Sequence, residues 1–510
     1  VIGPVVRRND WTTLEVPELG AWTPTRSMSV VMPAWGSTPL DAVLAALTAQ
    51  TYPEHLFEVV VVDDGNSPPV ELPDLRPAHT RLVRVTEGWG RANASEVGTA
   101  QSDGDIVMWL DADMLAFAEH LEAHARWHHV IDHAVVLGDK RFVTPRIDLT
   151  PAQVRDRVAD GSIVDLHDWN TADQHTWIEE IFAKTDDLAR AGHNAFHCLV
   201  GATVSMTRAM HDATGGLDPT LRLGEDTVFG HLLNEAGAVL LPDRGARAWH
   251  LGLTHVMQQG DLVKAYNAPA FADFVPASRG RRQHGRIYQV PYVEVVVPVD
   301  AGADRVQRCV DALLESDMDD LRVVLVADWA VLDTARVSPL RDPLRDLGIL
   351  SRAYRHEPRV ELVQPDAEVL TQRCRSPFRM TLASTALAPL EMSIGVLLAD
   401  MERTHFGLAV LHGPAGEVVR VVRTAARSRA GWHEVTDPGE VDDFIADVFG
   451  RRDAGAAELG WVPWEERTIR RYRRPKFGAV SSEESWARVE ETMVPALERR
   501  AARAQRARKG

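Results

Sequence analysis

Two carboxylates, Asp111 and Asp113, bracket one residue at the end of the apolar run Ile106-Val107-Met108-Trp109-Leu110. Five apolar residues without alternation read as a strand buried on both faces, as in parallel sheets. Carboxylates just past such a strand project from the carboxyl edge of the sheet, where open α/β folds bind ligands. At that spacing they can hold Mg2+ or Mn2+ and leave coordination positions for phosphate oxygens. A second pair, Asp63-Asp64, closes the run Phe57-Glu58-Val59-Val60-Val61-Val62 and precedes Gly65. A carboxylate there can accept hydrogen bonds from a base imide or ribose hydroxyl, or simply build the turn. A third acidic pair, Glu225-Asp226, follows Gly224 and opens the helical pattern Thr227–Glu235. A carboxylate in that place can take a proton from an attacking hydroxyl, although helix N-termini also attract carboxylates as caps.

The elements that must position these groups follow from the apolar pattern. Ser29-Val30-Val31-Met32 is a short strand ending at Pro33, and Leu40, Val43, Leu44 and Leu47 carry a helical spacing between Pro39 and Gln50. Pro53 breaks that helix before the strand that leads to Asp63. Strand, helix, strand is a βαβ unit, so a parallel, right-handed sheet is expected. A third strand, Arg81-Leu82-Val83-Arg84-Val85, leads to a small-residue helix at Arg91–Ala100 and then to the Asp-Ala-Asp strand. The first domain reads as a nucleotide-binding α/β sheet with its carboxylates on one edge.

Near residue 292 the pattern starts again. Tyr292-Val293-Glu294-Val295-Val296-Val297-Pro298 parallels Ser27 to Pro33, and Arg322 to Asp328 parallels Phe57 to Asp63, both at an offset of 265 residues. This internal repeat predicts a second, related α/β domain. The expected division is an N-terminal arm at 1–26, a first domain at 27–278, a basic linker at 279–291, a second domain at 292–464 and a tail at 465–510. The second domain is expected to be silent: its turn reads Ala327-Asp328-Trp329, and its best substitute for Asp-x-Asp is Leu397-Leu398-Ala399-Asp400-Met401-Glu402. Stability, acceptor binding or self-association as a homo-oligomer are its remaining roles.

At 510 residues the chain is too long for one core, and 45% apolar with 25% charged residues is a soluble globular composition. The net charge of −17 speaks against general nucleic-acid binding. Cys198, Cys309 and Cys374 lie far apart, which argues against zinc sites and disulfide frameworks and favours a reducing compartment. No apolar run has the length of a membrane helix, and Val1-Ile2-Gly3-Pro4 lacks the apolar core of a signal peptide, so a cytoplasmic location is expected. From Glu465 onward 13 basic residues face 7 acidic ones, giving the tail +6. Trp486, Val489, Met493 and Leu497 form an apolar stripe on a helical tail, which either packs on the protein or touches an anionic inner membrane face.

With these pieces in order, the first half resembles the family 2 glycosyltransferases of the GT-A fold. Ser29-Val30-Val31-Met32-Pro33-Ala34-Trp35, Gln50-Thr51-Tyr52-Pro53, Glu58–Asp64, Gly104–Asp113, Ala213–Asp218, Gly224–Gly230 and Trp249-His250-Leu251-Gly252 occur in the family's order over residues 27 to about 255. The resemblance implies a GT-A sheet followed by a degenerate GT-A-like domain. It implies inverting transfer of a hexosyl group from a nucleotide sugar, with a UDP-sugar the expected donor, to a glycan, a lipid-linked sugar or a small metabolite. It implies Asp113 as direct ligand of Mn2+ or Mg2+, with Asp111 on the metal, its water or the ribose. His250 either completes that shell or packs beside Trp249. Pro33, Ala34, Asp63, Asp64 and Arg91 are implied at the donor, Asp226 as base and Glu225 as its neighbour. The family's Ala-Arg-Asn-x-Gly run is altered here to Gly90-Arg91-Ala92-Asn93-Ala94, so the register of Arg91 is open. A Gln-x-x-Arg-Trp motif is missing, which favours transfer of one sugar over polymerisation. A nucleotidyltransferase would need a glycine-rich basic loop after the first strand, which Pro33-Ala34-Trp35-Gly36-Ser37-Thr38 is not. A scaffold that kept the fold and lost turnover is the other alternative.

Overall fold

The apolar runs become the strands of two main sheets. This computed structural model describes residues 3–464 apart from 37, 334–337, 339 and 372–373. The basic tail and its apolar stripe lie outside the described residues. Packing groups Val1–Phe271 and Ser428–Val441 into one unit, and Ala272–Arg427 and the chain from Asp442 onward into another. Among the described residues no helix is long and apolar enough to cross a membrane.

The first unit contains β1 (Met28–Ala34), β2 (Phe57–Asp63), β3 (Thr80–Arg84), β4 (Ile106–Leu110), β5 (Met114–Ala116), β6 (Ala134–Val143), β7 (Thr203–Thr207) and β8 (Val239–Leu251), in the order β3-β2-β1-β4-β7-β6-β8-β5. Strands β1 to β4 run parallel, as the βαβ pattern requires. The sheet is nevertheless mixed, because β7 enters antiparallel to β4 and β6, and β5 antiparallel to β8. An antiparallel β7 begins where β4 ends, with Thr203 opposite Leu110, and so brings the backbone before Thr203 to the Asp111 loop. Helix α1 (Leu40–Leu47) follows β1, α2 (Arg91–Ala100) follows β3, α4 (Pro151–Ala159) and α5 (Thr176–Thr185) follow β6, and α6 (Arg208–Thr214) follows β7. A Cβ on Gly98 would lie 2.4 Å from Val31 and 2.7 Å from Val62, so only glycine lets α2 sit this close to the sheet. The N-terminal arm is pinned by Asn9, whose amide donates to the carbonyls of Leu188 and Leu240 at 2.8 Å and accepts from Leu240 N–H.

Helix α3 (His120–His128) sets His120, His124 and His128 on one face, fully buried against the hydroxyls of β7. The hydrogen bonds fix every proton. His120 Nδ1 lies 3.0 Å from the Arg247 carbonyl, which only accepts, so Nδ1 is protonated and Nε2 accepts from Thr203 at 2.9 Å. Thr203 then accepts from His124 Nε2 at 3.0 Å, Ser205 donates to His124 Nδ1 at 2.9 Å, and His128 Nε2 donates to Ser205 at 2.7 Å. The row ends on His128 Nδ1, a bare lone pair without a partner. Burial pushes His120 down to about 4, His128 to about 3 and His124 well below its usual value. The unfolded chain takes up these protons near pH 6.5, so the stabilisation is complete above that pH and is lost as the pH falls toward 4. The row should therefore cost about 1.4 kcal/mol per histidine at pH 5.5 relative to pH 8, or roughly 4 kcal/mol in all. Urea denaturation across that range checks this, and a flat profile would contradict the neutral row.

The second unit repeats the first strand for strand. Its β9 (Val293–Pro298), β10 (Leu321–Val326), β11 (Val360–Val363), β12 (Phe378–Leu382), β14 (Leu408–His412), β15 (Val418–Arg423) and β16 (Arg451–Gly455) are ordered β11-β10-β9-β12-β15-β14-β16. Substituting counterparts gives the first seven strands of the first sheet, with the same parallel and antiparallel pairings. The remaining strands, β13 (Leu387–Pro389) and β17 (Trp461–Pro463), pair with each other. Register corrects the repeat by one residue at its second strand, since Met28 pairs with Phe57 whereas Val293 pairs with Leu321. The counterparts of Asp63 and Asp64 are thus Ala327 and Asp328.

A larger correction concerns the Asp-x-Asp position. The segment Leu397 to Glu402 lies inside a helix, Ser393–Thr404, and is no strand end. The counterpart of β4 is β12, which is followed by Ala383-Ser384-Thr385 where the first unit has Asp111-Ala112-Asp113. Thr385 donates its backbone N–H and its hydroxyl to Asp300, which occupies that carboxylate internally. Asp400 is paired with Arg403 and Arg452. We therefore expect Asp328→Asn to leave turnover at the wild-type level. A folded variant without activity would reveal a second active centre.

Candidate active site

All three acidic pairs converge on the carboxyl edge of the first sheet, but their members do different work. Asp63, at the end of β2, is buried and already accepts from Asn66 N–H at 2.8 Å, Asn66 Nδ2 at 2.7 Å and Val70 N–H at 3.2 Å. These bonds hold its carboxyl below the usual range against the upward push of burial. Asp63 builds the turn. Asp64 N–H donates to the Ala34 carbonyl at 3.1 Å, and Asp64 Oδ2 accepts from Gly90 N–H at 2.7 Å. Its other oxygen, Oδ1, is buried without a hydrogen-bond partner, and burial raises the carboxyl above its ordinary value. A buried acceptor left bare is costly unless a ligand donates to it. Pro33 and Ala34 close β1 beside it. A tryptophan adjoins each of the two backbone partners of Asp64, Trp35 after Ala34 and Trp89 before Gly90, exposed by 72% and 60%. Arg222 lies 4.6 Å over the Trp89 ring.

The Asp111–Asp113 loop is tied at both ends. Asp111 N–H donates to the Ala202 carbonyl at 3.0 Å, and the Asp113 carbonyl accepts from Leu251 N–H at 2.9 Å. Strand β8 pairs His250 with Met114 of β5, which brings the imidazole to the loop. Ligand atoms of Asp111, Asp113 and His250 lie within 4.8 Å of one another. Asp113 Oδ1 stands 3.8 Å from His250 Nε2, too far for a hydrogen bond, and is buried without a partner. Burial, and then the charge of Asp111, push Asp113 up to about 7. Burial also pushes His250 down to about 4, so its imidazole is neutral and able to ligate. Two oxygens and one neutral nitrogen, one oxygen uncompensated, fit Mn2+ or Mg2+.

Helix α7 (Glu225–Glu235) starts two residues earlier than its apolar pattern suggests, which puts Glu225 and Asp226 in its first turn. Its cap, Gly224, has φ +77°, and a Cβ there would meet Phe271 and Asn267 within 2.8 Å. Glu225 is buried, and desolvation followed by the Asp226 charge pushes it up to about 7. Asp226 is half-buried, accepts from Thr227 N–H at 2.7 Å, and is raised by burial against the pull of Arg91 and of the Thr227 and Gly201 backbone. Arg91, at the start of α2, donates to Asp111 at 2.9 Å, to Glu225 at 3.4 Å and to the Gly201 carbonyl. Its guanidinium thus bridges the Asp111 loop to α7. A role on the donor pyrophosphate would have to be shared with these bonds.

Sequence reading missed Lys140, which enters this edge from β6. Its only signal is the charged triplet Asp139-Lys140-Arg141 inside an otherwise apolar strand.

Comparison with known proteins follows the same outline. Residues 29–196 match the family model described as glycosyl transferase family 2. The chain is 22% identical over 367 residues to the chondroitin synthase of Escherichia coli, covering 66% of this chain and 50% of that protein. It is 21% identical over 359 residues to the hyaluronan synthase of Pasteurella multocida, covering 66% of this chain and 35% of that protein. The chain therefore spans half or less of the length of these relatives. Among solved structures, the mannosyltransferase PcManGT of Pyrobaculum calidifontis, in complex with GDP-Man and Mn2+, aligns with a TM-score of 0.32 and 18% identity over 52% of this chain and 67% of that one.

Proposed function

We propose that this chain, whose residues 29–196 match the family model of glycosyl transferase family 2, moves one sugar from a nucleotide-sugar donor to an acceptor hydroxyl with inversion, in a metal-dependent reaction. The observation that carries this reading is the buried, unpartnered Asp113 Oδ1 facing the His250 imidazole at 3.8 Å beside Asp111. Asp113, Asp111 and His250 would hold Mn2+ or Mg2+, which supplies Lewis-acid stabilisation to a diphosphate leaving group. Asp64 presents its bare Oδ1 to the nucleoside, with Pro33 and Ala34 shaping that wall. Asp226 takes the proton from the acceptor hydroxyl as the new C–O bond forms and the bond to the diphosphate breaks. A single displacement of this kind inverts the anomeric carbon. Glu225, held by Arg91, keeps α7 in register with the Asp111 loop.

The match to a chondroitin synthase and a hyaluronan synthase supports a glycan acceptor, and UDP-sugars, the donors implied by the family resemblance, are the first to test. A lipid-linked sugar reached through the tail, or a small metabolite, is the further acceptor class. The second unit offers no Asp-x-Asp at its β12 edge, so one chain carries one donor site among the described residues. That favours addition of one kind of sugar. Incubation with UDP-sugars and Mn2+, followed by NMR of the sugar released to water, tests the reading. An anomer inverted relative to the donor is expected. Retention would contradict the single displacement, and tight nucleotide binding with no release would favour a scaffold.

A further inference from the structure

Lys140 carries a charge that the fold leaves unanswered. It makes no ion pair or hydrogen bond among the described residues. Its neighbour Asp139 is taken by Arg141 at 2.8 Å and by Arg244 at 3.7 Å. Across β6 and β8, Lys140 pairs with Ala248 and Phe142 with His250. Alternate residues of a strand share a face, so Lys140 points to the side of the sheet that carries His250. The packing agrees, since the Phe142 ring lies 4.8 Å from the His250 ring, whereas Arg141 lies over Trp169 and Trp169 packs on Trp249, the residue opposite Arg141. The ammonium is within electrostatic reach of Asp111, Asp226, His175 and His250. It is half-buried, and desolvation lowers its pKa.

A half-buried cation without a partner weakens the fold. Its natural complement at this edge is an anion brought by the ligand. Of the carboxylates within reach, Asp139 is taken by Arg141 and Arg244, Asp111 serves Arg91 and the metal position, and Asp226 accepts from Thr227 and stands as the base. A dissociating diphosphate, by contrast, adds negative charge during the reaction. We propose that Lys140 binds the terminal phosphate of the donor's diphosphate and holds its charge as the bond to the sugar breaks. The ammonium stays protonated throughout and donates hydrogen bonds to phosphate oxygen. This inference rests on the glycosyl transfer reading above.

The test is calorimetric binding of UDP, GDP, UMP and GMP in the presence of Mn2+, to the wild type, Lys140→Met and Lys140→Arg, with a melting temperature for each protein. If Lys140 reads the terminal phosphate, Lys140→Met should bind the preferred diphosphate about tenfold or more weaker, the scale of one charged hydrogen bond. The matching monophosphate should bind within about twofold of wild type, Lys140→Arg should recover part of the loss, and the melting temperature should hold or rise. Equal weakening of mono- and diphosphate, or no weakening, overturns the assignment. A lower melting temperature with both ligands weakened would make Lys140 structural. A wild type that binds none of the four nucleotides would instead defeat the transfer reading itself.

Discussion

Asp226→Asn is expected to slow sugar transfer by about 10²- to 10⁴-fold while leaving donor binding unchanged. The amide keeps the shape of the carboxylate, and its oxygen can still accept the Thr227 N–H bond of 2.7 Å that ties residue 226 to α7. What it loses is the ability to take a proton from the acceptor. The competing account, in which Asp226 only caps α7, makes the opposite forecast: a lower melting temperature and nearly normal turnover. Measuring kcat, donor affinity and melting temperature on one preparation separates them. Glu225→Gln is the useful companion, because it weakens the 3.4 Å contact with Arg91 while leaving Asp226 in place. Its effect should fall on α7 positioning and be smaller than that of Asp226→Asn.

Asp113→Asn is expected to reduce donor turnover by about 10²-fold or more, beyond the usual loss from disturbing a partner outside the metal's own ligands. It should also remove the Mn2+ dependence of nucleotide binding. The apo protein should be no less stable, since the substitution takes a buried, unpartnered carboxylate oxygen out of the fold. EDTA should bring the wild type to the level of the variant. Near-normal transfer by Asp113→Asn, or indifference to EDTA, would remove the metal from the mechanism.

How far the sequence alone leads depends on the element. Strand β4 and helix α2 were readable to the residue, because an unbroken apolar run and a stretch of small residues each have one structural meaning here. Strand β12 was not. Phe378, Met380 and Leu382 face the core while Arg379 and Thr381 are only partly buried, so it lacks the apolar run that marks β4. The apolar stretch within Ser393–Thr404 mimicked a strand end, although its buried Ile394, Leu397, Leu398 and Met401 follow a helical spacing. Long-range grouping is equally hidden. Ser428–Val441 sits with the first unit, where the buried Arg429 donates to the carbonyls of Gly237, Ala238, Val6 and Arg8, and nothing local in the sequence announces those partners.

Within the site, residue types were readable and their division of labour was not. Asp63 and Asp64 look equivalent on paper, but the turn takes up one carboxylate and leaves an oxygen of the other bare. Arg91 reads as a phosphate ligand and is found tied to Asp111 and Glu225. Lys140 carries no motif at all, because its place depends on a strand register between β6 and β8 that only the fold creates.

The most direct test of the central claim is a thermal-shift panel of nucleotide sugars, each with Mn2+ and each with EDTA, because a ligand that binds only the folded protein raises its melting temperature. The account predicts that at least one nucleotide sugar raises the melting temperature with Mn2+, that EDTA abolishes the shift, and that Asp113→Asn shows none. A shift that persists in EDTA and in Asp113→Asn would contradict it, as would a panel in which no nucleotide sugar stabilises the protein.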